Sequence, residues 1–410
     1  MTANPRPPRI RERDAAGVVD ELLSPGLENP YPLYEWLRAN APVHFSERMG
    51  THLLSRFDDC EHVLRNPSLF PAPEPAAFFA FAPEAARFDA FRILVTSIIN
   101  TNPPAHTLLR RLVSKAFTPR RVEELKGDVT RIAAETVAAA TADPVIDLHS
   151  AISVPVPLRV LARLLGLPEE SDRRLAVLIP KVIEVVDPSA DEPTLQAADD
   201  AMRSLRDELT DLVRRRRRDP QDDLVSALVT ASERLNADEL EAMLVALLTA
   251  GFETSATAID IAVHTLLNHP AHRDEVREHD GALRFADEVL RWDPPSATSA
   301  GFRVAAEDVA FGEHTVPAGS PVRVLFGAAN RDPAANPDPD RFDPHRKAPR
   351  SLAFGAGVHH CLGMNLAKME IAAVLAAIVA RMPGLRAAEP PVRRRSVPLR
   401  DFSSFRVRPS

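Results

Sequence analysis

Residues 354–363 read Phe-Gly-Ala-Gly-Val-His-His-Cys-Leu-Gly, and this stretch constrains the fold more than any other part of the chain. The glycines within it favour a tight turn. Residues 362–380 follow with helical periodicity, so the pattern predicts that Cys361 lies at a helix N-terminus. There the positive end of the helix dipole and the free N–H groups favour a thiolate over a thiol. Cys361 is therefore a candidate nucleophile or metal ligand.

The sequence leaves several roles open for Cys361. A hydrolase nucleophile needs a base within hydrogen-bond distance, and His359 and His360 lie too close along a tight turn to face the sulfur readily. A zinc site needs a second cysteine or a spaced histidine pair, and neither accompanies this motif. A single thiolate suits one axial bond to haem iron. An inert structural cysteine would leave Gly355 and Gly357 without a purpose.

The second motif, Ala-Gly-Phe-Glu-Thr-Ser at residues 250–255, lies within a long apolar helix. Asn236 is a predicted N-cap, and the helix is expected to run to Asn268, about 33 residues or roughly 50 Å. A buried Glu253 must be paired, hydrated or protonated, and Thr254 beside it can hydrogen-bond a ligand. An acid next to a hydroxyl in an apolar wall suits proton delivery. A helix kink with a surface-facing Glu253 explains the motif equally well.

Composition limits the class of protein. Apolar residues make up 45% of the 410 residues and charged residues 26%, which is typical of a globular chain and excludes disorder throughout. The net charge of −7 disfavours a nucleic-acid-binding protein. The two cysteines exclude a disulfide scaffold. The longest apolar run, residues 242–252, is too short to span a bilayer. We therefore expect a soluble, cytoplasmic protein with no membrane anchor.

The pattern along the chain predicts a mainly α-helical fold with a smaller β portion. Helical periodicity dominates residues 104–280, whereas residues 308–324 and 392–407 alternate in the manner of strands. Residues 1–17 are expected to form a disordered lead-in, because arginine and proline alternate there with little to bury. Residues 18–410 are expected to form a single domain.

Together these motifs resemble those of the cytochrome P450 family of haem-thiolate monooxygenases. Residues 354–363 match the family signature Phe-Gly-x-Gly-x-His-x-Cys-x-Gly at every fixed position, and residues 250–254 match its central-helix motif. Glu288 and Arg291, which share one predicted helical face, match its Glu-x-x-Arg pair. The resemblance covers nearly the whole chain and is strongest to the soluble bacterial branch. It implies the cytochrome P450 fold, with a long central helix over the haem.

The resemblance also implies a cofactor, heme b (iron protoporphyrin IX), with an axial thiolate from Cys361. Phe354 would pack near the sulfur and Gly363 would let the backbone approach it, with Gly355 and Gly357 in the same loop. Two propionates in a low-dielectric pocket require cations or strong donors. The side chains at the family's propionate-binding positions are His106, Arg110, Arg303 and His359.

Catalytic and structural roles follow from the same resemblance. Ala250 and Gly251 would form the ceiling over the haem and leave room for oxygen. Thr254 and Glu253 would be the catalytic pair that delivers protons to the oxygen site. The Glu288–Arg291 pair would be structural and would lock the segment around Arg341.

The implied reaction is reductive activation of dioxygen, with one oxygen atom entering the substrate and the other leaving as water. Since the sequence contains no flavin or iron–sulfur motif, electrons would come from separate partners, most simply a ferredoxin and its NAD(P)H-dependent ferredoxin reductase. A basic cluster of Arg111, Lys115 and Arg120 would dock an acidic ferredoxin. A merely solvated basic helix explains these residues nearly as well. The protein is expected to be a monomer.

The substrate is expected to be a small, mostly apolar or aromatic organic molecule, because few charges occur near the predicted cavity. Residues 71–97, rich in proline and phenylalanine, are predicted to be irregular and to line the pocket. Residues 179–196 are expected to form a lid. The predicted wall residues are Phe78, Phe79, Phe81, Leu94, Ile98, Ile99, Val245, Leu248, Ala297, Thr298 and Phe402.

Other functions stay open at this point. A haem-thiolate peroxygenase or a non-oxygenating oxidative coupling enzyme would share the fold. A haem-based gas sensor would bind haem without turning over a substrate, but it would have little reason to place Glu253 and Thr254 over the iron. A cysteine-dependent hydrolase would contain no haem at all.

Overall fold

The computed structural model of the chain describes residues 14–24, 26–187, 190–230, 237–299, 301–394 and 399–409. Helices dominate it, as the sequence predicts. The helices are α1 (Ala15–Leu22), α2 (Tyr31–Asn40), α3 (Phe57–Arg65), α4 (Pro75–Phe81), α5 (Asp89–Val95), α6 (Ala105–Ser114), α7 (Pro119–Glu124), α8 (Lys126–Ala140), α9 (Pro155–Leu165), α10 (Asp172–Ile183), α11 (Glu192–Arg218), α12 (Leu224–Thr230), α13 (Ala237–Asn268), α14 (His279–Trp292), α15 (Phe326–Asn330) and α16 (Met364–Arg381).

The strands are short, and only some of them lie in the two regions, 308–324 and 392–407, that the sequence marks as β. They are β1 (Val43–Ser46), β2 (Thr51–Leu54), β3 (Ile146–Asp147), β4 (Arg303–Val304), β5 (Val309–Phe311), β6 (His314–Val316), β7 (Pro321–Val324), β8 (Arg386–Ala387), β9 (Val392–Arg393), β10 (Phe402–Ser404) and β11 (Arg406–Arg408). The largest sheet has the order β1-β2-β7-β4. In it β2 and β7 are parallel, whereas the two outer pairs are antiparallel.

Helix α13 is the centre of the core. Its sequence is apolar on most faces, and it packs against α9, α10, α11 and α16. Among the described residues it is the one helix with the length and apolar composition to cross a membrane, and most of its apolar window is buried within the fold. The predicted cap Asn236 lies outside the described residues.

Two expectations about local structure need correction. The chain is ordered before residue 18, because α1 starts at Ala15 and the Asp14 carboxylate accepts a hydrogen bond from the Gly17 N–H. Residues 1–13 lie outside the described part. The segment 71–97 is also more regular than expected, because it forms α4 and α5. Pro75 begins α4, where the N–H that proline lacks would have no helical partner in any case.

Candidate functional site

The turn that holds Cys361 is fixed by backbone geometry. Gly355 and Gly357 have φ values of 67° and 70°, a region that side chains rarely adopt. A methyl group on Gly357 would also collide with the carbonyl oxygen of Leu64 in α3. The Cys361 N–H donates to the Phe354 carbonyl oxygen at 2.9 Å and closes the turn. The two glycines are thus needed for the path of the chain.

Opposing effects act on the Cys361 thiol. The side chain retains exposed surface, but it lies against enough protein for burial to raise its pKa. The backbone N–H groups of Gly363 and Met364 and the charge of Arg110 act in the opposite direction. Helix α16 begins at Met364, so these donors are its free N-terminal N–H groups, as the sequence predicts. They favour a negatively charged sulfur, and a bound metal ion would complete the deprotonation.

Cationic and donor groups gather beside this turn. His106 and Arg110 are one turn apart on α6, and the His106 ring centroid lies 4.3 Å from that of His359. Arg110 Nη2 donates to the His360 carbonyl oxygen at 2.5 Å. Arg303 lies in β4 and acts electrostatically on both His106 and His359. The structure therefore brings together the four side chains that the sequence analysis assigned to the propionates.

None of these four groups pairs with a carboxylate in the described part of the chain. Burial lowers the pKa of Arg303 to about 10, and no carboxylate offsets the effect. Burial, assisted by the charge of Arg303, lowers the pKa of His359 to about 3, and its Nε2 is buried without a hydrogen-bond partner. Buried donors that lack acceptors are costly unless a ligand supplies the acceptors. A molecule with two carboxylates, such as haem, fits this cluster.

The central helix presents a narrow face next to the site. Ala250 is exposed although it lies in the middle of the core helix α13. Thr254, one turn further, donates from Oγ1 to the Ala250 carbonyl oxygen at 2.7 Å. Gly251 does not share this face, because a Cβ there would approach Leu161 of α9 to 3.2 Å. The expectation that Gly251 forms the ceiling is corrected: the glycine permits close packing of α13 on α9.

Glu253 lies within helix α13, and its side chain is not fully exposed as the surface-facing interpretation requires. Its side chain is half-buried, and burial raises its pKa to about 7. The nearby charges of Arg394, Asp401 and His149 modify this pKa to a smaller extent. A carboxyl group with a pKa near neutrality can both accept and donate a proton at physiological pH.

The Glu288–Arg291 pair is buried and structural. Arg291 donates to both carboxylate oxygens of Glu288, at 2.7 and 2.8 Å. It also donates to the carbonyl oxygens of Asn330, Pro339 and Arg341. The pair therefore holds the irregular segment that precedes the Cys361 turn, including the backbone at Arg341 that the resemblance implied.

The residues predicted to form the substrate wall differ in how much surface they leave for a ligand. Phe78 and Phe81 pack on Phe302 beside Arg303, with centroid distances of 5.0 and 5.6 Å. Ala297 is nearly buried. The half-buried members of the wall, which keep surface for a ligand, are Phe79, Leu94, Ile98, Ile99 and Thr298.

Three residues that were predicted to line the substrate pocket are buried in the core instead. Val245 and Leu248 are fully enclosed by protein on α13. Phe402 is buried against His264 and Phe405, with the Arg393 guanidinium over its ring. His264 is ten residues beyond Thr254, which is about 15 Å along the helix. These side chains belong to the core.

Sequence reasoning missed two residues near the site. Leu247 is half-buried and lies three residues before Ala250, on the same face of α13. Its helical spacing from Ala250 and Thr254 is the signal that would have identified it. Arg323 in β7 is the second, because its Nε is buried without a partner and its Nη1 lies 3.5 Å from Thr298 Oγ1. No local sequence pattern reveals this residue, since its position depends on strand pairing.

Comparisons with known proteins agree with this geometry. Residues 169–382 match the family described as Cytochrome P450. The chain is 36% identical to cytochrome P450 BJ-3 of Bradyrhizobium diazoefficiens over 409 residues, which cover 95% of each protein. This chain belongs to the cytochrome P450 family.

Two further relatives support the same assignment. The P450 is 36% identical to 6-deoxyerythronolide B hydroxylase of Saccharopolyspora erythraea over 397 residues, covering 92% of this chain and 95% of that protein. Its fold matches the crystal structure of CYP164A2 from Mycobacterium smegmatis with a TM-score of 0.82 and 33% identity, over 96% of this chain and all of that one. The predicted fold is thereby confirmed, and membership of the family implies a haem with a cysteine thiolate as its axial ligand.

Proposed function

We propose that this P450 is a monooxygenase that hydroxylates an organic substrate, with heme b held by the Cys361 thiolate. The observation that supports this most directly is the joint placement of two features. One is a cysteine at a helix N-terminus, and the other is a cluster of two arginines and two histidines beside it that has no carboxylate partner among the described residues. Neither a hydrolase nor a zinc site requires that second feature.

Each residue of the cluster has a distinct part in holding the cofactor. His106, Arg110, Arg303 and His359 would bind the two propionates, which would supply an acceptor for the unpaired His359 Nε2 and negative charge beside Arg110 and Arg303. Phe354 packs beside the loop, while Gly355 and Gly357 define its path. When bound, the thiolate-ligated haem activates dioxygen once it receives electrons.

The protein's own contribution to the chemistry is proton movement and exclusion of water. Glu253, with a pKa of about 7, is a proton donor at the face that Ala250 and Thr254 present. The Thr254 hydroxyl rests on the Ala250 carbonyl oxygen and can turn to pass a proton from the Glu253 side to the open face. Phe252 and Ser255, which flank this pair on α13, are buried, and this limits the access of water from the core side.

The substrate is proposed to be mostly apolar. Phenylalanines on α4 and α5 and the half-buried Leu247 supply an apolar wall. A relative of this chain is named 6-deoxyerythronolide B hydroxylase, and hydroxylation is the reaction proposed for this chain. Arg323 beside Thr298 is a cation next to the described wall residues, and its guanidinium would donate to a carbonyl or carboxylate oxygen of the substrate. Residues 179–196 would form the lid, although 188–189 lie outside the described part.

The electron donor is proposed to be a small acidic ferredoxin served by an NAD(P)H-dependent reductase. Arg111 and Lys115 are exposed on α6 and just beyond its end. The neighbouring Arg110 contacts the carbonyl oxygen next to Cys361, so the exposed basic surface borders the thiolate loop. Arg120 contributes less than expected, because it is already paired with Glu124 at 3.1 Å. We further propose that the protein acts as a cytoplasmic monomer.

The proposed monooxygenase activity is tested by following labelled oxygen from dioxygen into the product. A library of apolar compounds is first screened for those that shift the spin state of the ferric protein. Hits are then incubated with ¹⁸O₂, NADPH and a surrogate ferredoxin and reductase. Incorporation of one ¹⁸O atom per product molecule is the expected result. Products formed without ¹⁸O would instead support a non-oxygenating oxidative coupling enzyme, and products formed only when peroxide is supplied would support the peroxygenase.

The docking surface has its own matched control. Arg111→Glu combined with Lys115→Glu should slow reduction by an acidic ferredoxin and weaken the salt dependence of the rate. Arg173→Glu changes an equally exposed arginine on α10 and should leave the rate unchanged. Equal rates for all three proteins would show that the electron donor does not use this surface.

A further inference from the structure

Three potential metal ligands meet on the surface, in a part of the molecule that the oxygenase chemistry does not use. His272 ends a short 3₁₀ turn after α13, Glu275 begins the next, and His345 comes from the irregular segment before the Cys361 turn. His272 Nδ1 lies 3.1 Å from Glu275 Oε1, and His345 Nε2 lies 2.9 Å from Glu275 Oε2. The three ligand atoms all lie within 4.8 Å of one another.

These separations are close to those of a coordinated ion. With bonds of about 2.0–2.2 Å to nitrogen and oxygen, tetrahedral ligands are separated by roughly 3.3–3.6 Å. The histidine–carboxylate separations already lie just below this range. The His345 side chain is exposed and therefore has room to adjust its position toward His272.

The backbone on both sides of the cluster is held by the core. The His272 ring packs against Phe285 and Phe342, with centroid distances of 6.0 and 5.8 Å. The His345 N–H donates to Asp343 Oδ1, and the Asp343 N–H donates to the buried Glu288 carboxylate. The ligands are therefore positioned before an ion arrives, which reduces the ordering cost of binding.

The charges around the cluster are compatible with a cation. Glu275 supplies one negative charge directly at the site. The neighbouring arginines are engaged elsewhere, since Arg277 pairs with Asp274 and Arg341 with Asp343. Arg346, next to His345, is bound to Glu288. These acidic partners limit the repulsion that a divalent ion would meet.

We propose that His272, Glu275 and His345 bind one divalent transition-metal ion of the Zn²⁺ class. Two imidazoles and one carboxylate match the preference of such ions, whereas Ca²⁺ and Mg²⁺ prefer all-oxygen sites. Three protein ligands leave a fourth position for water. The ion would link the turn after α13 to the segment that the Glu288–Arg291 pair holds, and so stabilise the approach to the haem loop.

The experiment is calorimetric titration of ZnCl₂ into the EDTA-treated, haem-containing protein at pH 7.5. One ion per chain is expected, accompanied by a higher midpoint of thermal unfolding. His345→Ala and His272→Gln should each weaken Zn²⁺ binding by at least about tenfold and remove the thermal shift. His314→Ala changes an exposed histidine in β6 and should bind Zn²⁺ as the wild type does.

A second measurement identifies the ligands independently of affinity. With Cu²⁺ as the probe, the electron paramagnetic resonance signal should show coupling to two nitrogen nuclei in the wild type and to one in His345→Ala. Because His345 is exposed, this variant should retain the wild-type haem spectrum. Zn²⁺ affinity unaffected by both histidine substitutions, or no binding at 100 µM Zn²⁺, would overturn the proposal.

Discussion

Removal of the Arg291 side chain tests how the fold holds the haem loop. Arg291 is completely buried and forms short bonds to Glu288 Oε1 and Oε2 and to the carbonyl oxygens of Asn330 and Pro339. Breaking a buried ion pair from one side costs about 3–5 kcal/mol. Each carbonyl left without a donor adds roughly 1–3 kcal/mol where water cannot enter.

Glu288 keeps two other partners, the Asp343 N–H and Arg346 Nε, which reduces the loss. We therefore expect Arg291→Ala to destabilise the protein by at least about 4 kcal/mol, a large part of the 5–15 kcal/mol of a typical domain. The matched control is Arg341→Ala. That side chain is 71% exposed, and its ion pair with Asp343 is long, at 3.5 Å. Its removal should therefore cost about 0–1 kcal/mol.

The assay follows urea denaturation by far-ultraviolet circular dichroism and by haem absorbance. Since a bound cofactor breaks two-state behaviour, the two midpoints are compared directly. Arg291→Ala should have both midpoints far below the wild type and should accumulate little haem-containing protein. The reasoning would be refuted if Arg291→Ala and Arg341→Ala had equal midpoints.

Three further predictions concern the loop and the central helix. Gly357→Ala should lower the unfolding midpoint more than Gly312→Ala. Both glycines have positive φ, but only at Gly357 would the added methyl group collide with a neighbouring carbonyl oxygen. Equal effects in the denaturation assay would show that the collision is relieved. Turnover should fall as pH rises through about 7, because the Glu253 carboxyl loses its proton there. Glu253→Gln should remove this fall from the pH–rate profile. If the variant shows the same fall, another group is responsible for it. Thr254→Ala should consume NADPH with little product and release peroxide, while Thr254→Ser should restore coupling; tightly coupled Thr254→Ala would rule out the proton transfer assigned to the hydroxyl.

The motifs that are local in sequence could be predicted well. The Cys361 turn, the helix after it and the Glu253–Thr254 pair depend on glycine positions, helical spacing and helix-end electrostatics, all of which are visible in one stretch of chain. The resemblance added His106, Arg110, Arg303 and His359, which the fold brings together from three elements: α6, β4 and the turn before Cys361. No spacing rule alone could have joined them.

The substrate wall was harder to predict for a physical reason. Apolar character is shared by core and cavity residues, so Val245, Leu248 and Phe402 could not be distinguished from true wall residues by type. Whether a residue of α13 lines the cavity depends on the face of the helix on which it lies. The orientation of that face depends on the packing of α13 against α9 and its other neighbours. Arg323 was also missed because its position depends on tertiary structure. Only the pairing of β7 with β4 and β2 places it beside Thr298.

The most direct test of the central claim is the absorption spectrum of the dithionite-reduced protein before and after addition of CO. The wild type should show the strongly red-shifted Soret band of a thiolate-ligated ferrous–CO haem, and Cys361→Ser should lose it. Cys60→Ser is the matched control, because Cys60 is fully buried and its thiol donates to the Leu54 carbonyl oxygen. Its spectrum should match the wild type. A wild-type Soret band at the position of a histidine-ligated globin, or no haem band after haem is supplied during expression, would contradict the assignment of Cys361 as the iron ligand.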